Sequence, residues 1–121
     1  MLFRSRLILK QTVLEIFPEA SIDEAADGLE AYEGVKWAYE RNLRYDLVIL
    51  DVNMPKYGGV DSIRMIRNYE GRQKLNQCAT ALISADETDD IEGIEHLDIK
   101  FKMVKPVNQR TLKKQIAFLT K

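Results

Sequence analysis

Apolar and polar positions along this chain switch repeatedly between two periods. Leu7, Ile8, Val13, Leu14, Ile16 and Phe17 recur at helical spacing and stop near Pro18. Residues 21–26 form a short strand candidate, closed by the turn pair Asp27-Gly28. Leu29, Tyr32, Val35, Trp37, Ala38 and Tyr39 return to helical spacing through Asn42. Leu47, Val48, Ile49 and Leu50 then make an uninterrupted apolar run. Lacking alternation, the run predicts a strand covered on both faces, a central parallel strand. Beyond the loop at 56–59, Val60, Ile63, Met65 and Ile66 restart a helix that fades into the polar stretch 70–74. Residues 78–84 predict the next strand. An acidic run at 86–90 leads into a short helix marked by Ile91, Ile94 and Leu97. Residues 99–104 predict a last strand with some alternation, ended by Lys105-Pro106. Asn108 is placed to cap a final helix carrying Leu112, Ile116 and Leu119.

The predicted order alternates strictly, with four strands and five helices and short connections. That order specifies an α/β fold, a doubly wound parallel sheet built from right-handed crossovers. At 121 residues the chain is one domain, 1–121, large enough for a core of its own. A net charge of −1 supplies no field for nucleic acid or an anionic membrane, and no apolar run reaches spanning length. Cys78 is the only cysteine, so an internal disulfide is excluded, which fits a reducing, cytoplasmic setting. One feature is unusual: the pattern opens on a helix, where sheets of this size commonly begin on a strand.

Asp51, Ser84 and Lys105 each fall at the carboxyl end of a predicted strand. Such ends meet at one edge of an open parallel sheet, where these folds place their chemistry. A carboxylate, a hydroxyl and an ammonium group sharing a crevice suit acceptance of a phosphoryl group. The carboxylate attacks phosphorus and forms an acyl phosphate, while the cation and a divalent metal counter the transferred charge. Taken singly, Asp51 reads as a turn carboxylate, Ser84 as a cap and Lys105 as a solvated lysine. Their common placement reverses that reading. His96 is a surface residue by the same standard, and Cys78 belongs with the core.

With Asp51-Val52-Asn53-Met54-Pro55 and Gly59, Ser84-Ala85 and Lys105-Pro106 in this order, the chain resembles a response-regulator receiver domain. This is the phosphoacceptor module of two-component and phosphorelay signalling. The resemblance implies a flavodoxin-like fold and a phosphoryl group passed from a phosphohistidine to Asp51. It makes Ser84 the switch hydroxyl, with Ala85 leaving room beside it. Lys105 becomes the ion-pair partner of the phosphoryl group. Mg²⁺ would be held by Asp51 and the backbone carbonyl of Asn53, while Pro55, Gly59 and Pro106 shape the loops. A histidine kinase or histidine phosphotransfer protein is the implied partner, for a stand-alone receiver or one within a hybrid kinase. The domain itself would not be an enzyme beyond assisting its own phosphorylation and dephosphorylation.

The same resemblance exposes departures. The family's first strand ends in an acidic pair that completes the Mg²⁺ site, and residues 1–6 align just beyond it. The expectation is therefore an N-terminally truncated receiver whose Mg²⁺ binding is weak or absent, either a fragment or a degenerate receiver. The family's aromatic switch position is Lys102 here, and Phe101 should face the opposite way. Two other functions stay in view. One is a non-phosphorylated pseudo-receiver acting as a protein-interaction module. The other is a haloacid-dehalogenase-type phosphatase, disfavoured because the second aspartate it needs is Asn53.

Overall fold

A computed structural model describes residues 13–53, 56–85, 95–105 and 108–119. Three strands form the sheet: β1 (Leu47–Asp51), β2 (Ala79–Ser84) and β3 (Ile99–Val104). All pairings are parallel, in the order β1-β2-β3, with Leu47 opposite Ala79 and Ser84 opposite Val104. Helices α1 (Gly28–Glu40), α2 (Gly59–Arg72) and α3 (Gln109–Leu119) alternate with the strands, as the apolar periodicity predicts. A helical stretch at 13–16 precedes them, and a 3₁₀ turn, Glu95–Leu97, leads into β3.

The helices lie on both faces. Against one face Ala31 of α1 and Ile63 of α2 pack with Leu50, Leu82 and Leu97. Against the other, Leu112 and Ile116 of α3 meet Ala81, Phe101 and Met103, with Val13, Ile16 and Phe17 alongside. β3 alternates as expected: Phe101 and Met103 are buried while Lys100 and Lys102 are exposed. A register shift between Thr80 and Ala81 sets Lys100 outside the pairing.

Local signals explain where the helices begin and end. Asp27, expected in a turn, is the N-cap of α1 and accepts a hydrogen bond from the Glu30 amide at 2.7 Å. The far end of α1 closes through Asn42, whose φ of 58° lets the Leu43 amide reach the Ala38 carbonyl at 2.9 Å. Asn108 caps α3 as predicted, accepting from the Arg110 and Thr111 amides at 2.8 and 3.2 Å.

Two expectations change. Residues 21–26 form no strand, so the described sheet has three strands rather than four. Consequently β1 is an edge of the described sheet, not a central strand, and Leu47, Val48 and Ile49 are only partly buried. The reason is pairing. An isolated run of strand-forming residues gains little without a neighbouring ladder, and 21–26 shares none with β1. Pro55, Pro106, the acidic run at 86–90, Ile91, Ile94, Leu7 and Ile8 lie outside the described residues.

Candidate functional site

The carboxyl ends of all three strands emerge on one side of the sheet. Asp51 is the last residue of β1, Ser84 the last of β2, and Lys105 directly follows β3. Parallel pairing aligns them: Asp51 lies opposite Ile83, one residue before Ser84, and Ser84 lies opposite Val104. The Lys105 amide donates to the Ser84 carbonyl at 2.8 Å, so the ladder continues into the residue that carries the ammonium group.

Across this edge the Lys105 ammonium forms an ion pair with Oδ2 of Asp51. Both side chains are largely buried, with 21% of Lys105 and 11% of Asp51 exposed. A pair so sheltered is screened far less than a surface salt bridge. The other oxygen, Oδ1, accepts from the Asn53 amide at 2.9 Å. Asp51 is thereby oriented by the turn that follows it, and its charge is countered from another strand. Ser84 is fully buried at the neighbouring strand end, and Ala85 beyond it is exposed.

The loop after β1 is held by backbone contacts. The Val52 amide donates to the Ile83 carbonyl at 2.8 Å, and Val52 in turn accepts from the Gly59 amide at 3.3 Å. Gly59 admits no side chain: a Cβ there would lie 2.6 Å from the Asp51 carbonyl oxygen and 2.9 Å from Leu82 Cδ2. The glycine lets the start of α2 approach the backbone of the site residue itself. Lys56 and Tyr57 both adopt left-handed backbone, with φ of 46° and 72°. Such residues are uncommon outside glycine and cost energy that the surroundings must supply. Here the Lys56 carbonyl accepts from the Leu29 amide at 3.1 Å, which docks the loop onto the start of α1. Neither residue type signals this strain in the sequence.

A second polar cluster, also unanticipated, lies at the amino end of β2, away from the site. Arg67 is buried on α2 and donates to the Leu97 carbonyl at 2.7 Å, to Glu70 Oε1 at 2.7 Å and to Thr80 Oγ1 at 3.1 Å. Glu70 Oε2 accepts from the Cys78 amide at 2.8 Å and from the Tyr39 hydroxyl. Burial, then the nearby Glu70 carboxylate, pushes the Cys78 thiol up to about 11. Burial and the bond to Glu70 likewise raise the Tyr39 phenol.

Of the residues singled out in the sequence, Asp51 and Lys105 are in contact, and Ser84 joins them through the Lys105 amide. Asn53 is exposed beside Asp51, and its amide rather than its carbonyl makes the recorded contact. His96 is exposed. For a magnesium ion the donors are few. Among the described residues no group of three acidic, histidine or cysteine side chains converges, and both oxygens of Asp51 already have partners. A hard cation seeks about six oxygens, so the described residues do not form a magnesium cage of their own.

Known proteins share this fold. The response regulator receiver domain model matches residues 5–117. Probable histidine kinase 2 of Oryza sativa subsp. indica is 28% identical over 102 residues, covering 77% of this chain and 10% of that protein. The osmosensing histidine protein kinase SLN1 of Saccharomyces cerevisiae is 33% identical over 93 residues, covering 77% of this chain and 7% of the kinase. The chain thus spans about a tenth or less of the length of these kinases. Among solved structures, the CheX-CheY-BeF3-Mg²⁺ complex from Borrelia burgdorferi superposes with a TM-score of 0.72 at 26% identity. That match covers 97% of this chain and 84% of the other. From its family match, its parallel α/β sheet and the kinases it resembles, the chain belongs to the response regulator receiver domain family of two-component signalling.

Proposed function

We propose that the chain accepts a phosphoryl group from a phosphohistidine onto the carboxylate of Asp51. The observation that carries this reading is the sheltered Asp51–Lys105 ion pair at the meeting point of the strand ends. A carboxylate oxygen of Asp51 attacks phosphorus. The phosphorus–nitrogen bond breaks with its electron pair leaving on the imidazole, and an acyl phosphate results. Lys105 then passes from the carboxylate to the phosphoryl oxygens, where the added negative charge holds it more strongly. Ser84, the last residue of the adjacent strand, would offer its hydroxyl to the same group. In this reading the domain is a phosphoacceptor, not an enzyme with a turnover of its own. Its donor is a histidine kinase or a histidine phosphotransfer protein.

Magnesium binding by this chain is part of the same reading and is expected to be weak. The solved relatives carrying Mg²⁺ and a beryllofluoride group support it for the family, whereas the described donors here are too few for a tight site. That shortage favours a second reading, a receiver that is not phosphorylated and serves as a protein-interaction module. Radiolabel transfer from acetyl phosphate or a phosphorylated donor separates the two. Label should appear on the wild type and fall to background in Asp51→Asn. Equal labelling of both proteins would remove Asp51 from the mechanism, and no labelling of either would favour the interaction module.

A further inference from the structure

Packing within the fold occupies most of helix α1 and leaves one face over. Ala31, Val35 and Ala38 are buried, and Tyr32, Lys36 and Tyr39 meet the Tyr69 ring of α2. The remaining face carries Glu33, Trp37 and Arg41, all exposed, with Trp37 at 52%. Four residues turn a helix by about 400°, so these three side chains leave it within about 80° of one another. They form one ridge about 12 Å long, with Trp37 at its midpoint.

Trp37 is the only tryptophan in the chain, and no core cluster includes it. Its ring is nevertheless held in place. The Arg41 guanidinium lies 4.0 Å from the ring centroid, and its Nη1 donates to the Trp37 carbonyl at 3.0 Å. An open-surface tryptophan ordered under an arginine has the composition of an interface hot spot. Leu43, turned back at the helix end by the left-handed Asn42, adds a second exposed apolar side chain. The charges decide what covers the ridge. Glu33 lies four residues before Trp37 and Arg41 four residues after it, and neither has an ion-pair partner among the described residues. The ridge is therefore complementary to its own reverse. Two copies crossed antiparallel about Trp37 set each Glu33 beside the Arg41 of the other copy, whereas a parallel pairing would oppose like charges. Ridges of four-residue spacing also interlock at about −50°, the commonest crossing of two packed helices.

We propose that this face of α1 binds a second copy of the chain, antiparallel and two-fold symmetric, with Trp37 against Trp37 and a Glu33–Arg41 pair on either flank. The contact is isologous, so it closes at two copies and does not propagate into a filament. One short helix from each copy buries less than about 1,200 Å² in all, so the association is weak and concentration-dependent. The interface shares no residue with the Asp51–Lys105 site and stands whether or not Asp51 is labelled.

The test is sedimentation of the full chain at concentrations up to about 1 mM, where a weak pair is populated. A monomer–dimer equilibrium is expected, and over the same range the Trp37 emission should shift to the blue as pairing takes the ring out of water. Trp37→Ala should weaken association at least about tenfold without lowering Tm, since alanine favours the helix. Glu33→Arg and Arg41→Glu should each weaken it by a similar factor, because each sets like charges against one another. Mixed in equal amounts, these two variants should associate again, since one brings two arginines to the ridge and the other two glutamates. The double variant Glu33→Arg/Arg41→Glu, which keeps the net charge at −1, should recover most of the loss. A Tm close to that of the wild type in each variant separates a lost contact from a lost fold. A wild-type chain that stays monomeric throughout the range overturns the proposal. Association that persists in either charge reversal would place the dimer on another surface and overturn it equally. So would a mixture and a double variant that pair no better than the single variants.

Discussion

Lys105 reaches Asp51 from the residue directly after β3, while Cys78 sits just before β2 with its sulfur sealed away from water. The two show how position on a strand decides the fate of a polar atom. At the carboxyl end the groups converge on a crevice; at the amino end Cys78 meets the Glu70 carboxylate under a closed layer. The consequence for Cys78 is measurable. Its thiol is raised from an ordinary value of 9.0 to about 11. In the unfolded chain it ionises first, so the unfolded state binds fewer protons at high pH and stability falls as pH rises. The contribution is intact below about pH 8.5, where both states are protonated, and is lost progressively toward pH 11. A Cys78→Ser variant, or better Cys78→Ala, should flatten the alkaline limb of Tm measured from pH 8 to 11. Iodoacetamide at pH 8 should label the thiol only as fast as the protein opens. Rapid labelling of the native chain would mean that the sulfur is not sealed.

At the scale of the element, the helices and strands were legible to the extent that one local rule decided each. Apolar spacing marked α1, α2 and α3, and Asn108 marked the start of α3 because capping needs only neighbours three residues away. The edge placement of β1 in the described sheet was not legible, since four apolar residues describe burial and not which neighbours pair with them. The end of α2 was misread for a related reason. Glu70 looks like the polar tail of a fading helix, yet its side chain is 1% exposed, paired at 2.7 Å with Arg67 and bonded to the Cys78 amide. Arg67 and Glu70 are three residues apart on one helix face, but their remaining partners, Leu97, Thr80 and Tyr39, come from elements distant in sequence. This cluster ties α1, α2, β2 and the 3₁₀ turn together. Arg67→Met should therefore cost about 3–5 kcal/mol in urea unfolding, because it strands the Glu70 carboxylate in the core. The double variant Arg67→Met/Glu70→Leu should recover part of that loss, limited by the Cys78 amide left without its acceptor. If the double variant is as unstable as the sum of the two single variants, the pair is not the unit that matters.

Across the whole molecule, β2 is the one strand flanked on both sides in the described sheet, and both helix layers close on it. Leu82 belongs to the cluster under α1 and α2, while Ala81 belongs to the cluster under α3. Thr80 through Ser84 are all buried. The site hangs from this strand, since the Val52 and Lys105 amides donate to the Ile83 and Ser84 carbonyls on either side of it. The described sheet therefore has a stable centre and one soft side along β1, and hydrogen exchange should read that gradient directly. Amides of Ala81 to Ile83 should open only with global unfolding. Ile49 and Asp51, whose amides point away from β2, should exchange through local opening at least about a hundredfold faster. Val48 and Leu50, pointing toward β2, should fall between them. An alternation of fast and slow amides along β1 is the specific signature, because it follows from the strand period and not from general exposure. Uniform protection along β1 would show that its outer edge is already paired in solution, and uniform rapid exchange would show that the β1–β2 ladder itself is weak. The second outcome would also loosen the Asp51 end of the ion pair, so the exchange pattern of this strand bears on how firmly the carboxylate is held for Lys105.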